Sequence, residues 1–265
     1  MIKVFIVDAF TSEMFKGNPA AVCVLSSALP DALMQAIARE MNCSETAFVL
    51  PHNNEFLLRW FAPLQEVDLC GHATLATSHV LYEQNIASAQ QELKFHTKSG
   101  LLSVKKQDDI ITMDFPQEIA TEYSIPLWVI EALGVKPVYT GKNRMDYLVE
   151  VETEKEILEL KPDFIALKKM DSRGVMITAK SSRKEYDFVS RFFCPGLGVN
   201  EDPVTGSAHC CLGPYWQQKL QKNTFNAYQA SQRGGILRVE VGESRVYIGG
   251  KAVTVLNGHI NINNF

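Results

Sequence analysis

The chain has 265 residues, which at about 150 per domain is one large or two modest domains. With 46% hydrophobic and 21% charged residues, it can bury a core without disulfides or structural metal, and long disorder is excluded. Twenty-six Lys and Arg against 30 Asp and Glu give a net charge of −4, without the basic excess of a nucleic-acid or membrane-surface binder. Residues 2–7 and 20–25 read as strands rich in Val and Ile, joined through the turn chemistry of Gly17-Asn18-Pro19. The first apolar stretch is cut short by Asp8 with no small-residue cleavage site after it, so it reads as a strand and not as a secretory signal. No window reaches the 18 apolar residues of a membrane span, and the expectation is a cytoplasmic protein. Pro30 and Asp31 open a helix whose apolar face is Leu33, Met34, Ile37, Ala38 and Met41. Strands over 45–50 and 55–61 follow, then a helix from about residue 72 to 83. Cys23, Cys43, Cys70, Cys194, Cys210 and Cys211 contain no C-x-x-C pair and are expected to be small buried hydrophobes.

Comparing the chain with itself at an offset of 135 brings out a repeat. Glu66 and Gly71 fall on Glu201 and Gly206, and the run from Gly100 to Val104 falls on Gly235 to Val239. Arg59-x-Phe61-x-Pro63 echoes Arg191-x-Phe193-x-Pro195 with a register slip of three residues. Matches sharing one offset point to duplication of an α/β unit, with the seam near residues 116–126. The expected fold is α/β of the α+β type with two similar domains, 1–117 and 118–265, the final strand packing back on the first. Each would be a mostly antiparallel, barrel-like sheet around a central helix, because hairpins over 100–115 and 235–248 come soon after the helices. Ligands commonly bind in the cleft between two such domains.

The repeated helix starts carry the chemistry. Cys70-Gly71-His72-Ala73-Thr74 opens one helix and Thr205-Gly206-Ser207-Ala208-His209 the other. A glycine there lets a ligand approach the backbone, and the unpaired N–H groups with the helix dipole make an anion site. Twin starts facing one cleft would suit a small substrate bearing a carboxylate, while two tight turns would need the same glycines. Glu45 stands just before the third strand. It is either a solvated strand-edge residue or, if it points into the cleft, a proton shuttle with a pKa raised by desolvation. Asp202 either caps the second helix or takes part in catalysis, and His72 or His209 either donates to substrate or satisfies local backbone groups. No His/Cys/Asp cluster has metal-ligand spacing, and no glycine-rich nucleotide loop is present. Cys70 falls on Thr205 at the offset, and a hydroxyl is too weak an acid to mirror a thiol in symmetrical racemisation.

Asp8-Ala9-Phe10-Thr11, Gly17 to Val22, Ser44-Glu45-Thr46-Ala47-Phe48, Arg59-x-Phe61-x-Pro63, Gly71-His72-Ala73-Thr74 and Glu201 to Ser207 resemble the motifs of the phenazine-biosynthesis (PhzF-like) isomerase family, in family order over most of the chain. That family is similar in fold to diaminopimelate epimerase, with two α/β domains and the site between them. The resemblance implies proton transfer on a dihydro-hydroxyanthranilate-type substrate without metal or organic cofactor. It implies Glu45 as the acid/base, His72 and Asp202 as catalytic groups at substrate-contacting positions, and Gly71, Gly206 and Ser207 as backbone donors to a carboxylate. Cys70, Thr74 and Thr205 complete the expected substrate-binding set.

The expectation is thus a cofactor-independent isomerase of a small carboxylated metabolite in a biosynthetic role, homodimeric by resemblance. A different reading is an amino-acid epimerase or racemase using Cys70 with a non-thiol partner, and a third is a small-molecule binder without catalysis.

Overall fold

The computed structural model describes residues 1–262. The chain divides into two compact units, Met1–Asp114 together with the chain from Gly249 onward, and Phe115–Ile248.

In the first unit β1 (Ile2–Ala9) pairs antiparallel with β2 (Asn18–Val24). The turn between them needs Gly17, which has φ +62° and whose Cβ would stand 2.1 Å from the Ala9 carbonyl oxygen. Asp8, buried, accepts the Phe15 N–H at 2.6 Å and closes the same loop. Helix α1 (Asp31–Met41) buries Leu33, Met34, Ile37 and Ala38 against Val4, Cys23, Phe48 and Phe61. Each large side chain so buried is worth roughly 1.5–3 kcal/mol, which outweighs the intrinsic propensity of so short a helix. The helix ends at Asn42, left-handed at φ 51°, whose N–H bonds the Ala38 carbonyl. Next come β3 (Thr46–His52) parallel to β2, β4 (Glu55–Phe61) antiparallel to β3, and the short β5 (Glu66–Val67) on β4. Helix α2 (Gly71–Glu83) then buries ten of its 13 residues and so sits inside the unit, and not on its surface. After it, β6 (Leu93–Thr97) lies parallel to β4, and β7 (Gly100–Gln107) and β8 (Ile110–Pro116) continue antiparallel.

The second unit runs through β9 (Thr121–Glu122), α3 (Leu127–Leu133), β10 (Tyr139–Lys142), β11 (Asp146–Glu150), α4 (Glu154–Glu159) and α5 (Phe164–Leu167). It continues with β12 (Gly174–Lys180), β13 (Phe188–Cys194), β14 (Val199–Asp202), α6 (Gly206–Leu220), β15 (Thr224–Gln229), β16 (Gly235–Val241) and β17 (Arg245–Gly250). Strand β12 is parallel to β11, β13 antiparallel to β12, β14 antiparallel to β13, and β15 parallel to β13 across α6. That is the same succession of pairings as in the first unit. Antiparallel neighbours predominate in both, and each parallel pair has helix between its strands, as such a crossover requires. Finally β18 (Ala252–Ile260) pairs antiparallel with β1.

The repeated Arg and Glu are two copies of one clamp. Arg59 on β4 holds Glu66 on β5 through Nε–Oε1 at 2.7 Å and Nη2–Oε2 at 2.8 Å. Arg191 on β13 holds Glu201 on β14 at 2.7 and 2.9 Å. Each clamp fixes the chain that leads into its buried helix, with the fork geometry that only arginine supplies. The pairs are 7 and 10 residues apart, a difference of three, and the three-residue 3₁₀ turn Pro195–Leu197 takes up the slip.

Candidate active site

Glu45 is placed by its own backbone. Its carbonyl accepts the Ala21 N–H at 3.3 Å, where β3 begins its pairing with β2. The side chain, 21% exposed, brings Oε2 to 3.3 Å from His72 Nε2. His72 lies in the first turn of α2 and is buried. Its Nε2 is 3.2 Å from the Ser44 hydroxyl, and its Nδ1 is 3.5 Å from the Cys70 thiol. Burial pushes the Glu45 carboxyl above its ordinary range, and hydrogen bonds from Ser44 and Cys70 partly oppose that shift. A carboxyl so held is a better proton acceptor than a solvated one.

Cys70 is the N-cap of α2, extended at φ −145°. The first helical hydrogen bond runs from Thr74 N–H to the Cys70 carbonyl at 3.1 Å, so the N–H groups of residues 71–73 lie outside the intrahelical ladder. They and the helix dipole create positive potential beside Glu45 and His72. Thr74, fully buried, spends its hydroxyl on the Cys70 carbonyl at 2.6 Å. The bond ties the first turn of the helix to its N-cap.

Glu45, Cys70, Gly71, His72 and Thr74 are all in the first unit; Asp202, Thr205, Gly206 and Ser207 are in the second. Asp202 accepts the Thr205 hydroxyl at 2.6 Å. Thr205 is the N-cap of α6, and buried Gln229 holds both residues: Oε1 accepts the Thr205 N–H at 2.8 Å, and Nε2 donates to the Asp202 carbonyl at 2.8 Å. Gly206 is buried and Ser207 half-buried. Ser44 and Gln229 were not singled out as site residues by the sequence. Ser44 stands inside the Ser44-Glu45-Thr46 motif, whereas Gln229 lies 24 residues from Thr205 with no local pattern to mark it.

His209 is fully enclosed and belongs to the support of α6, not to a surface that meets substrate. Its Nδ1 is 2.8 Å from the Thr205 carbonyl, which can only accept, so Nδ1 carries the proton. Nε2 is then the acceptor facing the Ser190 hydroxyl at 3.4 Å. Burial pulls its pKa down to about 4. A histidine held neutral gives stability that is complete above its unfolded pKa of about 6.5 and is lost as pH falls toward 4, by up to about 3 kcal/mol. Denaturant melts from pH 7.5 to 4.5 are expected to show that slope in the wild type and a shallower one in His209→Gln; equal slopes would count against it.

The reading that no cluster has metal-ligand spacing holds along the chain but not in space. One ligand atom each from Glu45, Cys70 and His72 lie within 4.8 Å of one another. Glu45 is 25 residues before Cys70, and no spacing rule joins a strand edge to a helix start.

The profile of the family described as phenazine biosynthesis-like protein matches residues 7–258. The chain belongs to that family. An uncharacterized isomerase of Halalkalibacterium halodurans is 54% identical over 258 residues, covering 97% of each chain. A PhzF-family phenazine biosynthesis protein from Enterococcus faecalis superimposes with a TM-score of 0.94 at 45% identity, covering 98% of this chain and 99% of that one. A probable proline racemase from Agrobacterium radiobacter shares the fold, with a TM-score of 0.70 at 12% identity over 100% of this chain and 94% of that one. This phenazine biosynthesis-like chain is thus an isomerase with an epimerase-like α/β fold. Among its described residues no helix is long and apolar enough to cross a membrane.

Proposed function

We propose that this isomerase relocates a proton on a small carboxylated metabolite without a cofactor, with Glu45 as the single acid/base. The observation that carries the reading is the Glu45 carboxylate, burdened by burial and 3.3 Å from His72 Nε2 beside the start of α2. Ionised Glu45 takes a proton from an activated carbon, the neighbouring double bond shifts, and the neutral acid returns that proton to the far end of the displaced π system. His72 steadies the carboxylate while it is charged, and backbone N–H groups at Gly71 and beyond hold the substrate's carboxylate and the negative charge that develops. Asp202, as part of the same proposal, contributes through the hydrogen-bonded group it forms with Thr205 and Gln229.

The test is proton exchange. The purified chain is incubated in deuterium oxide with unsaturated carboxylic acids, beginning with the dihydro-hydroxyanthranilate that the resemblance implies, and NMR follows deuterium into carbon positions. Enrichment at the two ends of a migrated double bond is expected. Enrichment at an amino-acid α-carbon instead, with loss of activity on alkylating Cys70, would favour epimerisation; the 3.5 Å approach of the Cys70 thiol to His72 Nδ1 supports that second reading. No exchange across the panel would leave a binding protein. We extend the proposal to a duplicated ancestry, supported by the matching pairings and clamps, and to a cytoplasmic homodimer in a biosynthetic role. Sedimentation at a single-chain mass would remove the dimer.

A further inference from the structure

We propose that Glu45, Cys70 and His72 form a transition-metal site that takes zinc, and that a bound zinc ion arrests proton transfer by the same residues. The second half rests on reading Glu45 as the acid/base; the first half does not. One thiol, one imidazole and one carboxylate converge here, with their ligand atoms within 4.8 Å of one another. Zinc takes sulfur, nitrogen and oxygen donors at about 2.0–2.3 Å, which puts donors roughly 3.3–3.8 Å apart around a tetrahedron. His72 Nε2 and Glu45 Oε2 are already 3.3 Å apart, and the Cys70 thiol is 3.5 Å from Nδ1 of the same ring. Because Cys70 faces Nδ1 and Glu45 faces Nε2, one of the two must swing to the ring nitrogen that the metal takes.

The donor set decides which ion fits. A thiolate and an imidazole reject magnesium and calcium, which want oxygen ligands alone, and suit zinc or cobalt(II). Cys70 and His72 are buried, whereas Glu45 keeps 21% exposure. Three protein donors with one side open is the pattern that leaves a fourth position for water. Binding exchanges the thiol proton for the metal: the cation, the thiol, neutral imidazole and carboxylate give the three-donor complex and one released proton, so affinity rises with pH. The carboxylate's negative charge is then shared with the cation, which lowers its basicity toward a substrate proton.

Cobalt(II) is the probe, since it uses zinc's ligands and reports thiolate ligation by a near-ultraviolet charge-transfer band. The full chain, chelator-treated and kept reduced with a phosphine, is titrated with cobalt(II). A band saturating at one equivalent is expected in the wild type and in Cys43→Ser. It is expected to be absent in Cys70→Ser and shifted to at least about tenfold weaker binding in His72→Gln and Glu45→Gln. Zinc is expected to bleach the cobalt band and, in the unaltered chain, to slow alkylation of Cys70 measured by peptide mass spectrometry, a readout that needs no variant. An unchanged band in Cys70→Ser, or no protection of Cys70, overturns the site. If the band forms as expected but deuterium exchange on a turned-over substrate continues at saturating zinc, the site stands and the arrest fails, whereas the acid/base reading of Glu45 fails only if Glu45→Gln, without metal, exchanges at the wild-type rate.

Discussion

Replacing Glu45 with glutamine is expected to lower proton exchange by about a thousandfold while the protein stays folded, since a positioned general acid or base contributes about 10²–10⁴ in rate. Glutamine keeps the shape and can still accept from Ser44, but it has no basic lone pair of use at neutral pH. The sign of its effect on stability is opposite to that of an ordinary truncation. Burial raises the Glu45 carboxyl above its unfolded value, so between those two values the folded chain binds more protons than the unfolded one. Ionised Glu45 therefore costs stability at neutral pH, and stability recovers as pH falls through the raised value. Glu45→Gln removes that cost, and thermal melts at pH 7.5 are expected to show a variant at least as stable as the wild type, with the difference shrinking as pH falls. A variant that turns over substrate at near-wild-type rate ends the mechanism. One that melts well below the wild type shows a structural role for the carboxylate instead.

The paired helices and hairpins were legible because their signals are local. The apolar spacing from Leu33 to Met41 marks α1, and the offset pairs Gly71 with Gly206, which open α2 and α6. The offset's three-residue slip even has a physical body, the turn Pro195–Leu197. Between residues 118 and 204 the apolar spacing marks no element, although Thr153 and Glu156 form a reciprocal capping box at the start of α4, a signal readable from Thr-x-x-Glu. The return of Ala252–Ile260 to β1 is a pairing across the length of the chain, fixed by tertiary register and not by any nearby residue. The site divides in the same way. Glu45, His72 and Cys70 each stand in a motif, but their convergence, the raised carboxyl and the Gln229 brace behind Thr205 exist only once distant segments pack.

The two clamps look alike in sequence but are expected to differ in how much they hold, with Arg191 the heavier. Arg191 and Glu201 are 12% and 18% exposed; Arg59 and Glu66 are 31% and 13% exposed. Arg191 also donates from Nη1 to the carbonyls of Ile157 and Leu160 at 3.2 and 3.1 Å, closing the C-terminal end of α4. Its loss uncovers a mostly buried carboxylate and two helix-end carbonyls together. Glu66, in contrast, keeps Lys98 as a second cation when Arg59 is removed. Breaking a buried pair from one side costs about 3–5 kcal/mol, so Arg191→Ala is expected to lower the melting temperature by about 10 °C or more for a chain of this size. Arg59→Ala, with Glu66 re-paired, its second partner Asp31 already in water and its own guanidinium closer to water, is expected to lose about 1–2 kcal/mol. Arg191→Lys keeps the charge but not the fork, and one ammonium cannot serve both the carboxylate and two carbonyls, so it is expected to fall between. Urea melts of the three variants give the ranking. If Arg191→Ala and Arg59→Ala lose the same stability, burial and the α4 carbonyls add nothing, and the clamps are equal in energy as well as in form.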